Sequence, residues 1–268
     1  MTIRVALHTG QLRQPVPGGI GRYVDGLVAH LPTGGIDVEP FTGGRWHGQA
    51  WQRLRRPALR LPADVDVVHA PSLAVPPPGR HPLVVTIHDL AFSYLPPRGA
   101  AFHRRGLELA RTEAAAVVVP STFTASEVVA AGIESGRIHV VPHGMDPPPE
   151  PPAGEVAERL GRLGVETPFL LAVGTIEPRK GLDVLADACS DLTGVQLVLA
   201  GPRGWGEVPG LERPGVILTG KVSDTDLDAL YRGATALVMA SRTEGFGLPA
   251  LEAMVRGCPV VVSDAGSL

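Results

Sequence analysis

Lysine is almost missing from this chain. Of its 24 basic residues only Lys180 and Lys221 are lysines, so arginine is the default cation and each lysine position invites a specific reason. Cysteine is scarce too: Cys189 and Cys258 lie far apart, nothing around them has the spacing of a zinc site, and two small buried thiols are the simplest reading. No apolar run approaches the roughly 18 residues that a membrane-spanning helix needs. The opening MTIRVALHTG is a short strand pattern without the long apolar region of a secretory signal. A basic excess is also absent, and the formal net charge of -3 argues against a nucleic-acid binder. What is present is a hydrophobic fraction of 44% with 19% charged residues over 268 positions, enough for two domains of ordinary size. A cytoplasmic location is expected, and peripheral contact with an inner membrane surface is left open.

Short apolar runs alternate with helical stretches, the pattern of βα units around parallel sheets. Strands are expected at 3–7, 37–41, 65–69, 83–87, 116–119 and 139–141, and helices over 20–30, 98–113 and 122–131, the last capped by Ser121. The run Pro147-Pro148-Pro149-Glu150-Pro151-Pro152 removes backbone donors and favours extended chain, so residues 147–165 read as a linker. Beyond it the alternation restarts, with strands at 169–173, 195–200, 215–218, 236–239 and 259–262 and helices over 181–191, 223–231 and 249–256. The expected fold class is α/β: two Rossmann-like parallel-sheet domains, 1–146 and 166–268, facing across a cleft where the loops at the carboxyl ends of the strands collect. The last strand is followed only by Ser263-Asp264-Ala265-Gly266-Ser267-Leu268, with no helix to cover the sheet face, so the second domain is expected to be incomplete.

The segment Glu244-Gly245-Phe246-Gly247-Leu248-Pro249-Ala250-Leu251-Glu252 carries the strongest chemical signal. Pro249 suits the first helical position, and the amides of Gly247 and Leu248 then point outward as a phosphate site. Glu244 can accept hydrogen bonds from sugar hydroxyls, and Glu252 can hold a vicinal diol such as a ribose. Taken singly, Glu252 also reads as a carboxylate complementing the helix dipole, and Glu244 as a solvated loop residue.

A second segment, Val173-Gly174-Thr175-Ile176-Glu177-Pro178-Arg179-Lys180-Gly181, leads from a strand end into a helix. Arg179 offers a forked donor and Lys180 a mobile point charge for a diphosphate leaving group. Cations are mildly unfavourable at a helix start, which favours a ligand over two solvated side chains. In Val84-Val85-Thr86-Ile87-His88-Asp89, the His88–Asp89 pair falls at a strand's carboxyl end, as does His69 elsewhere. Pro17-Gly18-Gly19-Ile20-Gly21-Arg22-Tyr23 opens the first helix but fails as a dinucleotide fingerprint, since Val24 stands where the third glycine belongs. Asp224-Thr225-Asp226 and Asp64-Val65-Asp66 match D-x-D superficially; both sit at element starts, where structural roles are the simpler reading, and no metal is expected.

These segments resemble the retaining family 4 glycosyltransferases, which have the GT-B fold and share the E-x7-E segment. The resemblance spans nearly the whole chain. It implies that Glu244 lies near the donor hexose, that Gly245, Phe246, Gly247 and Leu248 line the sugar and diphosphate, and that Glu252 binds ribose. It implies a catalytic role for the His88–Asp89 pair in contacting the donor sugar, and a donor-facing role for the loop with Gly19 and Gly21. The family commonly has arginine directly after the strand-end glycine, Gly174; here Thr175 stands there, Lys180 matches the family lysine, and Arg179 takes over the missing charge. Lys221 and Val222, in Thr219-Gly220-Lys221-Val222-Ser223-Asp224, would border the nucleotide base. His143 falls where the family's hinge begins, with asparagine more usual there.

The function implied is transfer of a hexose from a nucleoside diphosphate sugar to a hydroxyl of a glycan or lipid-linked acceptor with retained anomeric configuration. The H-D and E-P-R-K-G forms favour mannose and a GDP-mannose donor. No cofactor is expected. The rivals are another GT-B enzyme, such as a nucleotide-sugar epimerase, and an inactive fragment that binds the donor without turnover, since family members continue with a further strand and helices. A phosphorylase would need a pyridoxal-phosphate lysine, for which neither lysine has a setting.

Overall fold

The computed structural model describes residues 2–14, 18–43 and 47–268, so Pro17 of the glycine-rich loop lies outside the described residues. The chain forms two compact units, Met1–His143 and Gly144–Leu268. The first holds strands β1 (Ile3–His8), β2 (Ile36–Phe41), β3 (Val67–Ala70), β4 (Leu83–Thr86), β5 (Ala116–Val119) and β6 (Ile138–Val140). Its helices are α1 (Gly18–His30), α2 (His47–Leu54), α3 (Pro97–Glu113) and α4 (Thr122–Ala130). The strands make one parallel sheet in the order β2-β1-β3-β4-β5-β6. Val68, Val85, Ile87, Val117 and Val119, fully excluded from solvent, form its core with Leu109 and Ala110 of α3 and Val128 of α4. Such strands read as continuous apolar runs because helices cover both sheet faces. Ser121 caps α4, its hydroxyl accepting from the Thr124 amide at 3.1 Å.

The second unit holds α5 (Glu155–Arg162), β7 (Phe169–Val173), α6 (Leu182–Cys189), β8 (Gln196–Ala200), β9 (Val216–Gly220), α7 (Asp224–Gly233), β10 (Ala236–Met239), α8 (Leu248–Met254) and β11 (Val260–Val262). Its parallel sheet runs β11-β10-β7-β8-β9. One core contains Phe169, Leu171, Leu230, Tyr231 and Leu237; the other contains Leu182, Leu185, Leu197 and Leu199. Chain order reverses between the neighbours β7 and β10. Loops leaving two such strands diverge to opposite faces and open a crevice, the usual ligand site of an open α/β sheet.

Two helices depart from the sequence expectation. Helix α2 lies where no helix was expected, and it buries Trp51 and Gln52, each 2% exposed, with the Gln52 amide donating to Leu73 O at 2.7 Å. Helix α5 lies inside the stretch expected to be linker. It packs against α7 through buried Leu160 and through Arg159, which pairs with Glu155 at 2.6 Å and with Asp226 at 2.8 Å. Acidic residues begin α5 and arginines end it, as the helix dipole favours. The proline tract before it has no regular element. Strand β9 also runs on to Gly220, so Thr219 and Gly220 are strand residues rather than part of a turn.

Candidate functional site

The crevice between β7 and β10 holds a cluster of largely buried charges. After β7 the chain makes a tight turn, Pro178–Lys180, which ends on Gly181 at φ 62°. A Cβ on Gly181 would lie 2.0 Å from Ala240 O, so only glycine lets this turn press against the end of β10. The two loops are then stitched together: the Arg242 amide donates to Arg179 O at 2.7 Å, and the Arg242 guanidinium reaches Pro178 O and, at 2.8 Å, Asp183. That stitching brings residues 64 apart in sequence into contact. Lys180 Nζ donates to Glu244 Oε1 at 2.5 Å, and the Ser241 hydroxyl donates to the same oxygen at 2.7 Å. Arg179 Nη1 lies 3.4 Å from Glu244 Oε2 and donates to Thr243 O at 3.3 Å, while its Nε pairs with buried Glu177 at 2.7 Å.

The side chains of Glu244, Lys180 and Arg179 are 9%, 12% and 18% exposed. Burial pushes the Glu244 carboxyl up. The charges of Lys180 and Arg179, with hydrogen bonds from Lys180 and Ser241, outweigh it and hold the group below the usual carboxylate range. Glu244 is therefore an ionised acceptor, unsuited to giving up a proton. Each cation is matched by a carboxylate, Lys180 by Glu244 and Arg179 by Glu177 and Glu244. A cavity of about 10 Å³ beside Lys180, with room for one water-sized sphere, is lined by Gly174, Thr175 and Ser241 among others.

The backbone of Glu244 is braced from behind. Ser267 donates to Glu244 O through its amide at 3.1 Å and its hydroxyl at 3.0 Å, and the Ser263 hydroxyl donates to Ser241 O at 2.6 Å. Gly266, at φ 71°, lies so close that a Cβ there would be 2.6 Å from Glu244 O. Buried Gly245 and half-buried Phe246 lead to Gly247, which caps α8 in the left-handed region, with the Leu268 side chain against it. Leu248 and Pro249 begin the helix.

Glu252 belongs to a different network. It is 3% exposed, Tyr231 Oη donates to its Oε2 at 2.5 Å, and Arg256 Nη1 donates to its backbone carbonyl at 2.8 Å. The structure thus unites Gly174, Arg179, Lys180 and Glu244, and joins Glu252 to Tyr231 and Arg256. Lys221 is exposed, and half-buried Val222 packs on the core that contains Phe169 and Tyr231. Of the D-x-D residues, Asp226 pairs with Arg159 and Ser223, Asp64 pairs with Arg4, and Asp66 accepts from the Arg4 amide, all structural contacts.

In the first unit, His88 and Asp89 follow β4. His88 Nε2 lies 2.9 Å from Pro71 O; a carbonyl only accepts, so Nε2 carries the hydrogen and Nδ1 the lone pair. Burial lowers the His88 pKa, against the upward pull of Pro71 O and Asp89, so the ring is neutral. Tyr23 meets His88 edge-on at 4.9 Å between ring centres, and His143 lies 5.0 Å from Tyr23 and 5.4 Å from His88. The buried Thr86 hydroxyl stands between Tyr23 Oη at 3.0 Å and His69 Nε2 at 2.8 Å. Burial, helped by His88, lowers both His69 and His143 to about 4. Asp89 accepts from the Ala91 amide at 3.2 Å, shaping the turn after the strand. Gly19 and Gly21 lie in the first turn of α1, which starts at Gly18 rather than Ile20; Gly21 is buried and Gly19 exposed.

Sequence reasoning missed Ser241, Glu177's contact with Arg179, and Tyr231. Ser241 had a faint signal, standing three residues before Glu244 at a strand end. Tyr231 had none beyond being a hydroxyl-bearing residue on the apolar face of a helix. Among the described residues no helix is long and apolar enough to cross a membrane.

Residues 39–148 match the family model described as Glycosyltransferase Family 4, and residues 167–268 match that of Glycosyl transferases group 1. A D-inositol 3-phosphate glycosyltransferase of Mycobacterium bovis (strain BCG / Pasteur 1173P2) is 29% identical over 333 aligned residues, covering 98% of this chain and 68% of the relative. Among solved structures, Anabaena HepE in complex with UDP and glucose superposes with a TM-score of 0.69 at 21% identity, over 99% of this chain and 82% of that one. The catalytic domain of Arabidopsis thaliana starch synthase IV, bound to ADP and acarbose, does so with a TM-score of 0.73 at 13% identity, over 100% and 84%. At these identities the structures speak for the fold, and the family matches speak for the chemistry. The chain carries a family 4 glycosyltransferase domain followed by a glycosyl transferases group 1 domain and is a glycosyltransferase of the GT-B fold.

Proposed function

We propose that this glycosyltransferase moves a hexose, mannose, from a nucleoside diphosphate sugar, GDP-mannose, to a hydroxyl of a glycan or lipid-linked acceptor, with retention at the anomeric carbon. The observation that carries the reading is the convergence of Lys180, Arg179 and Ser241 on Glu244 at the crevice between β7 and β10. When the bond from the anomeric carbon to the diphosphate oxygen breaks, its electron pair stays on the diphosphate. Lys180 and Arg179 are the cations available to stabilise that charge. The acceptor oxygen bonds to the anomeric carbon on the same face, and its proton passes to the departing phosphate oxygen. No enzymic acid is required, which agrees with Glu244 being held as a carboxylate. Its role is to accept hydrogen bonds from hexose hydroxyls and to align Lys180. Gly245, Phe246, Gly247 and Leu248 line the sugar and diphosphate, Lys221 and Val222 border the base, and Glu252 grips the ribose. In the first unit the lone pair of His88 Nδ1 is the hydroxyl acceptor, held by Pro71 O and Tyr23.

The test is calorimetry against GDP-, UDP- and ADP-hexoses, followed by product analysis by NMR with GDP-mannose and UDP-glucose. Binding of GDP-mannose and an axial-to-axial transfer product are expected. Inverted product would refute retention. Donor consumption without any acceptor, giving an isomeric nucleotide sugar, would instead identify an epimerase.

A further inference from the structure

We infer that Tyr231 is a positioning residue for ribose recognition, acting through Glu252. The inference rests on the proposal that Glu252 grips the ribose diol. Tyr231 sits near the end of α7 with no exposed surface, and its hydroxyl donates to Glu252 Oε2 on α8 at 2.5 Å. That length is the short, charge-assisted kind, stronger than a bond between neutral groups. A carboxylate on a flexible side chain can rotate, and a diol is held well only when the lone pairs of an oxygen face both hydroxyls. Pinning Oε2 fixes the carboxylate plane and therefore the direction of the lone pairs on its other oxygen.

The tyrosine is itself held. Arg256 lies over its ring, 5.2 Å from the centroid, donates to the Glu252 carbonyl at 2.8 Å, and is anchored to Asp228 at 2.7 Å. Asp228 lies on α7 with Tyr231, and Arg256 follows α8, so one guanidinium ties the two helices at the point where the Tyr231–Glu252 bond crosses between them. Packing alone would be served by phenylalanine at 231; the hydroxyl is the part that needs a polar reason.

The experiment compares binding of GDP and UDP with their 2′-deoxy and 3′-deoxy counterparts by calorimetry, in wild type and Tyr231→Phe. Wild type is expected to prefer the ribonucleotide by at least roughly tenfold, the worth of one hydrogen bond to a charged group. In Tyr231→Phe that preference should shrink severalfold while affinity for the deoxynucleotides stays at the wild-type value. Adding Tyr231→Phe to Glu252→Gln should change the preference little further. An undiminished preference in Tyr231→Phe, or an equal loss of affinity for ribo and deoxy forms, overturns the role of Tyr231 and leaves Glu252 as the ribose contact. Absence of any preference in wild type removes the ribose reading and this inference with it. Should Tyr231→Phe melt below the assay temperature, 3-fluorotyrosine at position 231 changes the hydroxyl's acidity at nearly constant volume, and an unchanged preference there counts against the inference equally.

Discussion

Replacing Lys180 with methionine keeps most of the side chain's length and removes its charge, leaving the Glu244 carboxylate in a largely dry site. Breaking a buried ion pair from one side costs about 3–5 kcal/mol in general, because the partner's desolvation is no longer offset. Here Arg179 remains 3.4 Å away and Ser241 still donates at 2.7 Å, so the lower end applies, about 3 kcal/mol. For a unit of this size that lowers the melting temperature by roughly 10–15 °C. The loss should depend on pH with a definite sign. In wild type the folded pKa of Glu244 lies below its unfolded value, so the pair's contribution is complete above the carboxylate range and fades as pH falls through the folded pKa. In Lys180→Met the lowering by Lys180 is lost and the folded pKa rises relative to wild type, so the penalty is full at neutral pH and disappears once both states are protonated. Urea unfolding of the two proteins from pH 7 to pH 4 therefore shows a converging gap. The double variant Lys180→Met/Glu244→Gln, with no charge left to strand, should return to within about 1 kcal/mol of wild type. A gap that is the same at both pH values, or a double variant no better than the single one, would refute the buried-pair argument.

Other perturbations have equally direct readings. Glu177→Gln keeps an acceptor oxygen 2.7 Å from Arg179 but removes the carboxylate charge that competes with a diphosphate for it, so donor KM should fall severalfold with little change in kcat, measured by steady-state kinetics. Gly266→Ala places a methyl group 2.6 Å from Glu244 O at an unfavourable φ, and should reduce kcat/KM by at least roughly tenfold while circular dichroism stays native. His8, His69 and His143 have folded pKa values of about 4 against 6.5 unfolded. Unfolding should thus take up protons between those two values, and stability should fall as pH drops from 6.5 toward 4. His69→Gln should flatten that slope by about one proton, read from urea midpoints across the range.

The strands were largely legible because a strand buried on both faces is a continuous apolar run. Ala116–Val119, Phe169–Val173 and Ala236–Met239 lie within such runs and have the bounds expected from the sequence. Helix α2 was hidden by its composition, since its buried face includes Gln52, whose polarity is satisfied only by Leu73 O, far away in sequence. Helix α5 was hidden by the prolines before it, although its acidic start and basic end were visible in the chain. At the site, the motif segments identified Glu244, Lys180 and Arg179 one by one. Their mutual contact depends on the order of β7 and β10 in the sheet and on Gly181 at Ala240, neither of which local pattern encodes. The bond between Glu252 and Tyr231 was equally invisible, because the two lie on different helices.

The four charges gathered between β7 and β10 sum to zero: Lys180 and Arg179 on one side of the count, Glu177 and Glu244 on the other. An arriving polyanion therefore meets no surplus of positive potential and must compete with resident carboxylates for the same two cations. On the reading proposed above, a spent nucleoside diphosphate would be held only loosely there, and quick departure of the by-product, rather than a tight embrace of the donor, is what this charge balance favours.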